Sequence, residues 1–343
     1  MGPRVHLKAP GWWDEESGAL PLLLSPVSWA VGALMRAQWS LRKPQRAGLP
    51  VICIGNLSAG GAGKTPTAIA VAGLLEALDE RPAFLSRGYG GTIRGPHLVE
   101  PDRDDAHDVG DEPLLLARHA PTVIAADRPR GAARAKAEGA SIVVMDDGFQ
   151  NPTLAKDLSL IVIDAEVGIG NGLVLPSGPL RAPLGFQLAR SDALIVIGNG
   201  KAADPIASWM KAQGRPVLAA NLVPDQETSW LSKAPVLAFA GIGRPEKFFK
   251  TLEAEGGELV GQVAFADHHR FTEADAERLL SEAKAKNAQL VTTEKDWVRL
   301  PADRGPLGDL KSAALPLPVR LRFAGESAVK TLLKPILVRS AKA

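Results

Sequence analysis

Three groups of residues have the types and spacing for joint chemistry. They are a Lys-Thr pair closing a glycine-rich turn, an Asp pair at the end of an apolar run, and two carboxylates just ahead of a short helix. The first is Ser58-Ala59-Gly60-Gly61-Ala62-Gly63-Lys64-Thr65, set between the apolar Val51–Ile54 and the helix-forming Thr67–Leu75. A buried strand, a glycine-rich turn and a helix N-terminus in that order converge backbone N–H groups on an anion, so the stretch reads as a P-loop that cradles nucleotide phosphate. The generic loop carries Gly six residues before its Lys; Ser58 stands there, and Gly60, Gly61 and Gly63 make the turn. Partition-type ATPases carry a signature Lys where this chain has Ala59.

The second group is Asp146-Asp147, ending the apolar Ser141–Met145. P-loop enzymes hold Mg²⁺ with an Asp at such a strand end, and two adjacent carboxylates with no cation to share would only repel. The third is Asp111-Glu112-Pro113, before the helix-like Leu114–His119. Acidic residues there either complement the helix dipole and cap it, or supply a base.

Other candidates lie on loops. Ser86-Arg87-Gly88-Tyr89-Gly90-Gly91 follows a candidate strand; it is either a turn or a flexible loop whose Arg87 holds an anionic substrate group at the carboxyl edge of a sheet. Arg181 sits in a proline-rich loop, 175–183, stiff enough to present it to a phosphate. In Phe265-Ala266-Asp267-His268-His269-Arg270-Phe271 the adjacent histidines point differently, so a single catalytic or positioning His is expected rather than a two-His metal site. The run Thr292-Thr293-Glu294-Lys295-Asp296 follows a strand and either faces the same cleft or is solvated charge.

These residues need elements to position them. Short Val- and Ile-rich runs at 51–54, 83–86, 122–125, 142–145, 160–163 and 194–197 alternate with helix-length polar or Ala-rich stretches. That rhythm predicts an α/β fold with a mostly parallel sheet covered on both faces. A second, smaller α/β unit is expected from residue 225, with a strand at 235–240, helices at 245–254 and 273–285, and a strand at 289–291. The core domain is then 49–224 and the C-terminal one 225–343. A chain of 343 residues suits two such domains.

The first 48 residues differ in character. Trp12, Trp13, Trp29 and Trp39 lie beside the apolar 19–35 and the basic Arg36, Arg42, Lys43 and Arg46. Aromatic and snorkelling basic residues along an apolar stripe suit a helix lying in a membrane interface; the alternative is an amphipathic helix packed on its own domain. Pro21, Pro26 and Gly32 argue against a spanning helix, and Asp14-Glu15-Glu16 ahead of the apolar run argues against a cleaved signal. A formal net charge of +2 gives no field for nucleic acid, and the single cysteine, Cys53, excludes an intrachain disulfide and suits a reducing compartment. No obligate protein partner is evident.

Taken in order, the segments 54–66, 86–90, 109–113, 145–150, 176–181, 267–269 and 292–296 resemble the tetraacyldisaccharide 4'-kinase family of lipid A biosynthesis. The resemblance implies a P-loop kinase that uses ATP and Mg²⁺ to phosphorylate the 4'-hydroxyl of a lipid disaccharide 1-phosphate, peripherally bound at the cytoplasmic face of the inner membrane. It implies a large P-loop domain and a smaller one that close on nucleotide. By the same resemblance Lys64 contacts the β/γ-phosphates, Thr65 and Asp146 hold Mg²⁺, and Asp111 is the base, assisted by His268. The family usually has His where this chain has Asn151, which cannot titrate. Two other classes compete: a P-loop partition or switch ATPase, disfavoured by Ala59, and a dethiobiotin synthetase-like ligase, which needs no membrane-seeking segment.

Overall fold

The run Val51–Gly55 (β1) is buried at every position, which requires a strand in the middle of a sheet covered on both faces. The computed structural model describes residues 10–13, 18–301 and 305–340; Asp14-Glu15-Glu16 lie outside them. Helix α1 (Ala19–Leu41) precedes β1. After β1 come α2 (Lys64–Glu76), β2 (Pro82–Ser86), β3 (His97–Leu98), α3 (Asp111–Ala117), β4 (Thr122–Ile124), α4 (Arg128–Ala137), β5 (Ile142–Asp146) and β6 (Leu158–Asp164). The large unit continues through α5 (Leu184–Leu188), β7 (Ala193–Ile197), α6 (Asp204–Ala212) and β8 (Val217–Pro224). The chain then runs through β9 (Val236–Ala240), α7 (Pro245–Ala254), β10 (Leu259–Ala264), α8 (Glu273–Ala285), β11 (Gln289–Thr293) and α9 (Glu294–Arg299). Last are α10 (Pro306–Ala313), β12 (Ala314–Leu317), β13 (Val319–Phe323) and α11 (Glu326–Ser340).

Two sheets result. The nine-stranded one has the order β13-β8-β7-β6-β1-β5-β2-β4-β3. Its pairings are parallel from β8 to β4, with antiparallel edges at β13 and β3. The four-stranded sheet, β10-β9-β11-β12, is parallel throughout. This is the α/β architecture expected from the alternating pattern. One face of the large sheet packs on α2 and α11, the other on α4 and α6; α7 covers one face of the small sheet, and α8 and α10 the other.

Sheet membership divides the tail differently from the expected 225–343 block. The small sheet ends at Leu317, and β13 and α11 return to the large one. The cause is apolar cover: Leu321, Phe323, Val329, Leu333 and Ile336 are buried with Ala68 and Val71 of α2. Only alternate residues of β13 are buried, with Arg320 and Arg322 exposed between them, as befits an edge strand with one covered face.

Helix α1 packs on its own domain along one stripe. A narrow stripe of Pro21, Ser28 and Gly32 is buried. Ser28 and Ser177 pair through their hydroxyls at 2.7 Å, and a Cβ on Gly32 would come within 3.1 Å of Pro183. The remaining faces stay open: among the described residues nothing packs over Leu22, Leu23, Leu34 and Trp29, the last 83% exposed. The tryptophans divide accordingly. Trp12 and Trp13 donate to the carbonyl of Pro176, and Trp39 packs edge-on against Phe186 under Arg190. Those three fasten the segment to the core, and Trp29 alone of the four is an outward aromatic.

Candidate active site

The carboxyl ends of the parallel strands collect the functional groups, as open α/β sheets do. After β1 the chain turns at Gly60 and Gly63, both at positive φ, and enters α2 at Lys64. Gly63, at φ 84, holds a left-handed backbone that L side chains rarely adopt, and a Cβ there would also displace Ile197 Cδ1, 2.6 Å away at the end of β7. The loop is braced from below: Asn56 Nδ2 donates to the Gly60 carbonyl, Ala59 N to the Pro179 carbonyl, and Arg181 Nε to the Ser58 carbonyl. The 175–183 loop thus brings Arg181 to the base of the phosphate cradle.

Asp146 ends β5, fully paired with β1. Thr65 Oγ1 donates to its Oδ2 at 2.9 Å, while its Oδ1 is buried without a partner. Burial, with the adjacent Asp147 charge, pushes the Asp146 carboxyl up to about 7. A buried carboxylate oxygen left unpaired beside a hydroxyl at a P-loop is the donor set a divalent cation fits. Asp147, at φ 50, turns aside to ion-pair with Arg181 at 3.1 Å and Lys64 at 3.8 Å. Burial lowers the Lys64 pKa, an effect Asp147 partly offsets. Asn151, where the resembled family usually has His, closes a turn instead: its Oδ1 accepts from the Thr153 amide and hydroxyl.

Next along the sheet, Arg87 stands exposed past β2, and beyond β4 lies a residue not singled out in the sequence, Arg128. It is 3% exposed, donates from Nη1 to the Ala125 carbonyl and leaves Nε buried and unpartnered. Burial and the charge of Arg87 push its pKa down to about 10. Two cations crowded at the cleft edge, one with an unspent donor, form a wall suited to an anion. The only sequence signal for Arg128 is its place after a strand, beside the helix-capping Asp127.

Asp111 opens α3 and is 5% exposed. Gly110 is forced by a close approach, a Cβ there falling 2.4 Å from the Tyr89 carbonyl. His268 reaches Asp111 from the small unit, after β10: its Nδ1 lies 3.1 Å from Asp111 Oδ2, held by a left-handed backbone at φ 56. His269 diverges to Asp275 and stacks on Phe265, so the two histidines do part company. Helix α9 supplies two cations. Arg299 Nε donates to Asp111 Oδ2 at 2.7 Å, Nη2 adds a second bond to the same oxygen, and Lys295 Nζ lies 3.7 Å from it. Burial alone would raise the Asp111 pKa; the His268 hydrogen bond and the charges of Lys295 and Arg299 override it and hold the carboxyl well below the usual range. Asp111, Glu112 and His268 are close enough together to hold a metal. The Lys295 ammonium already fills that place, 2.6 Å from Glu112 Oε1 and 3.3 Å from His268 Nε2.

The P-loop follows β1, Asp146 ends β5 and the Tyr89 loop that packs on Gly110 follows β2; these three strands are neighbours in the sheet, so the phosphate cradle and the Asp111 cluster lie along the same carboxyl edge. A strand-loop-helix phosphate cradle, a cation-ready carboxylate beside it and a His-paired Asp facing it define a P-loop phosphotransferase. Comparison with known proteins narrows the class. The chain belongs to the tetraacyldisaccharide-1-P 4'-kinase family, whose sequence profile matches residues 20–337. It is 50% identical over 328 residues to the tetraacyldisaccharide 4'-kinase of Nitrobacter winogradskyi, covering 95% of this chain and 97% of that one. It is 51% identical over 329 residues to that of Rhodopseudomonas palustris strain HaA2, covering 95% and 96%. The crystal structure of LpxK from Aquifex aeolicus, in complex with ATP, superposes with a TM-score of 0.72 at 26% identity, over 92% of this chain and 99% of that one.

Proposed function

We propose that this protein transfers the γ-phosphoryl group of ATP to the 4'-hydroxyl of a tetraacyldisaccharide 1-phosphate, a step of lipid A biosynthesis. The observation that supports the reading is the Asp111–His268 pair on the same carboxyl edge of the sheet as the P-loop and its Lys64. The loop amides and Lys64 neutralise phosphate charge. Mg²⁺, held by Thr65 and Asp146, would stabilise the charge that builds on the transferring group. Asp147 keeps Lys64 and Arg181 at the loop between turnovers. Asp111 accepts the hydrogen bond of the sugar hydroxyl, aims it and takes its proton as the new bond forms; His268 fixes that carboxylate. Arg87 and Arg128 receive the substrate's own phosphate.

An acylated sugar lies in a bilayer, and α1 supplies the means to meet it. Of its 23 residues only Pro21, Ser28 and Gly32 are buried, and its basic C-terminal neighbourhood suits anionic headgroups. Peripheral docking on the cytoplasmic face of the inner membrane follows, where ATP is available. The test is incubation with γ-labelled ATP and detergent-dispersed disaccharide 1-phosphate. Label in the lipid, dependent on Mg²⁺, is the expected result; ATP hydrolysis at the same rate with and without lipid, and no labelled lipid, overturns the reading.

A further inference from the structure

The motif at 292–296 has a strand end, a helix start and no role in the chemistry above. Its geometry is organised around Arg299, one turn further on. Asp296 is fully buried: Oδ2 accepts from the Gly241 amide at 3.0 Å and from the Thr293 hydroxyl at 2.6 Å, and Oδ1 accepts from Arg299 Nη1 at 2.6 Å. The same Nη1 also donates to the Gly241 carbonyl at 2.7 Å. The guanidinium is therefore locked on one edge by its own unit, and the opposite edge, Nε and Nη2, is presented across the boundary to Asp111. Beside it, Lys295 spans Glu112 and Asp111. The contact is supported by packing: Val298 lies against the Val99, Val109, Leu114 cluster, and Arg118 sits 5.1 Å over the Trp297 ring.

Both Arg299 hydrogen bonds to Asp111 and the closest approaches of His268 and Lys295 fall on Oδ2; among the described residues no hydrogen bond to Oδ1 is formed. We propose that Arg299, seconded by Lys295, is a positioning residue that pins Oδ2 and so reserves Oδ1 for the substrate hydroxyl, with the base aimed only while α9 rests on α3. This rests on the reading of Asp111 as the base. Two adjacent carboxylates facing ATP would otherwise repel it; two cations from the small unit balance them charge for charge. Separation of the units removes both cations together with His268, leaving Asp111 free to rotate. A base assembled only on closure limits transfer to water in the open state.

The experiment compares wild type with Arg299→Met, Arg299→Lys and Lys295→Met in the lipid kinase assay from about pH 9 down to about pH 3, a window that reaches below the ordinary carboxylate range. A displaced base predicts a fall in kcat of about a hundredfold for Arg299→Met. KM for ATP should change little, because Arg299 makes no contact with the loop. Asp111 faces Glu112 on its own helix, Lys295 and Arg299 on α9, and His268. Loss of Arg299 leaves three of these, and the acid limb of the kcat/KM profile should move up by about one to three pH units. Arg299→Lys should restore the limb more fully than the rate, and added guanidinium should rescue Arg299→Met. Should Arg299→Met not fold, Lys295→Met must show the same two changes to a smaller degree. A lowered kcat with an unmoved acid limb and no rescue means a packing role only and overturns the proposal, as does an unaltered rate. An inactive wild type would instead overturn the kinase reading, so the two failures are distinguishable.

Discussion

The Asp111 carboxylate, set among His268, Lys295 and Arg299, has two measurable consequences, one for rate and one for stability. Asp111→Asn keeps the shape and removes the proton acceptor, so turnover should fall at least about a hundredfold. ATP affinity, read by equilibrium binding, should be largely kept; near-normal turnover would remove Asp111 as base. The substitution also strands Arg299, 7% exposed along its side chain, against an amide. Breaking a buried pair from one side costs about 3–5 kcal/mol. The pH dependence has a fixed sign. The folded-state pKa of Asp111 lies below its unfolded value, so its contribution is complete above the ordinary carboxylate range, about 4, and is lost as pH falls through the depressed value. The Tm gap between wild type and Asp111→Asn should therefore be constant from pH 8 to 5 and shrink below about 4; a gap that widens in acid contradicts the pairing. The P-loop and Asp146 were legible in the sequence because each sits at a strand end with a chemistry-bearing neighbour; Asp111 read equally as a helix cap, and the choice of His268 over His269 came only with the family resemblance. Arg299 was not: Asp296 and Arg299 at i,i+3 read like any exposed helix pair, and only the fold shows that one face of it meets another unit.

Among the elements, α1 and β13 mark the limits of what pattern alone conveys. The apolar composition of α1 was plain, but its hydrophobicity runs nearly all round the helix, and only the small residues Ser28 and Gly32 show which stripe packs. An outward, exposed face of Leu22, Leu23, Trp29 and Leu34 predicts a clean separation of effects. Leu23→Glu with Leu34→Glu should weaken binding to anionic-lipid vesicles at least about tenfold, because each inserted charge opposes burial of that face. Stability in detergent-free buffer should change by no more than about 0.5 kcal/mol per site, since neither residue touches the core. Unchanged vesicle sedimentation would return α1 to a purely structural role. Strand β13 fails to declare its sheet for a different reason. Edge strands are specified by one buried face, and Leu321 and Phe323 would suit the exposed edge of either sheet; the apolar cover from α11 decides it.

At the scale of the whole molecule, the small sheet is joined to the large one by two neighbouring crossings, after β8 and before β13, with the Asp225 amide bonded to the Pro318 carbonyl between them. A unit held by two adjacent strands at one side can swing, and the cleft opposite those crossings is where polar contacts fasten it. Among the described residues there are two such fastenings. One is the Asp111 cluster. The other lies at the end of β6, where Arg244 and Lys247 at the start of α7 reach Asp164, and Arg244 also reaches Glu166 at 3.3 Å. This second fastening bears no reacting group, so its strength should tune closure without touching the chemistry. Removing both cations, Arg244→Ala with Lys247→Ala, should raise the open population and speed amide hydrogen exchange along α9 and the first turn of α3. Turnover should drop by about threefold to tenfold, the fraction by which the competent closed state is depleted. The pH profile of kcat/KM should keep its shape, because Asp111 in each closed molecule retains His268, Lys295 and Arg299. Faster exchange confined to α7, with α9 still protected, would show that the Asp111 cluster alone holds the units together.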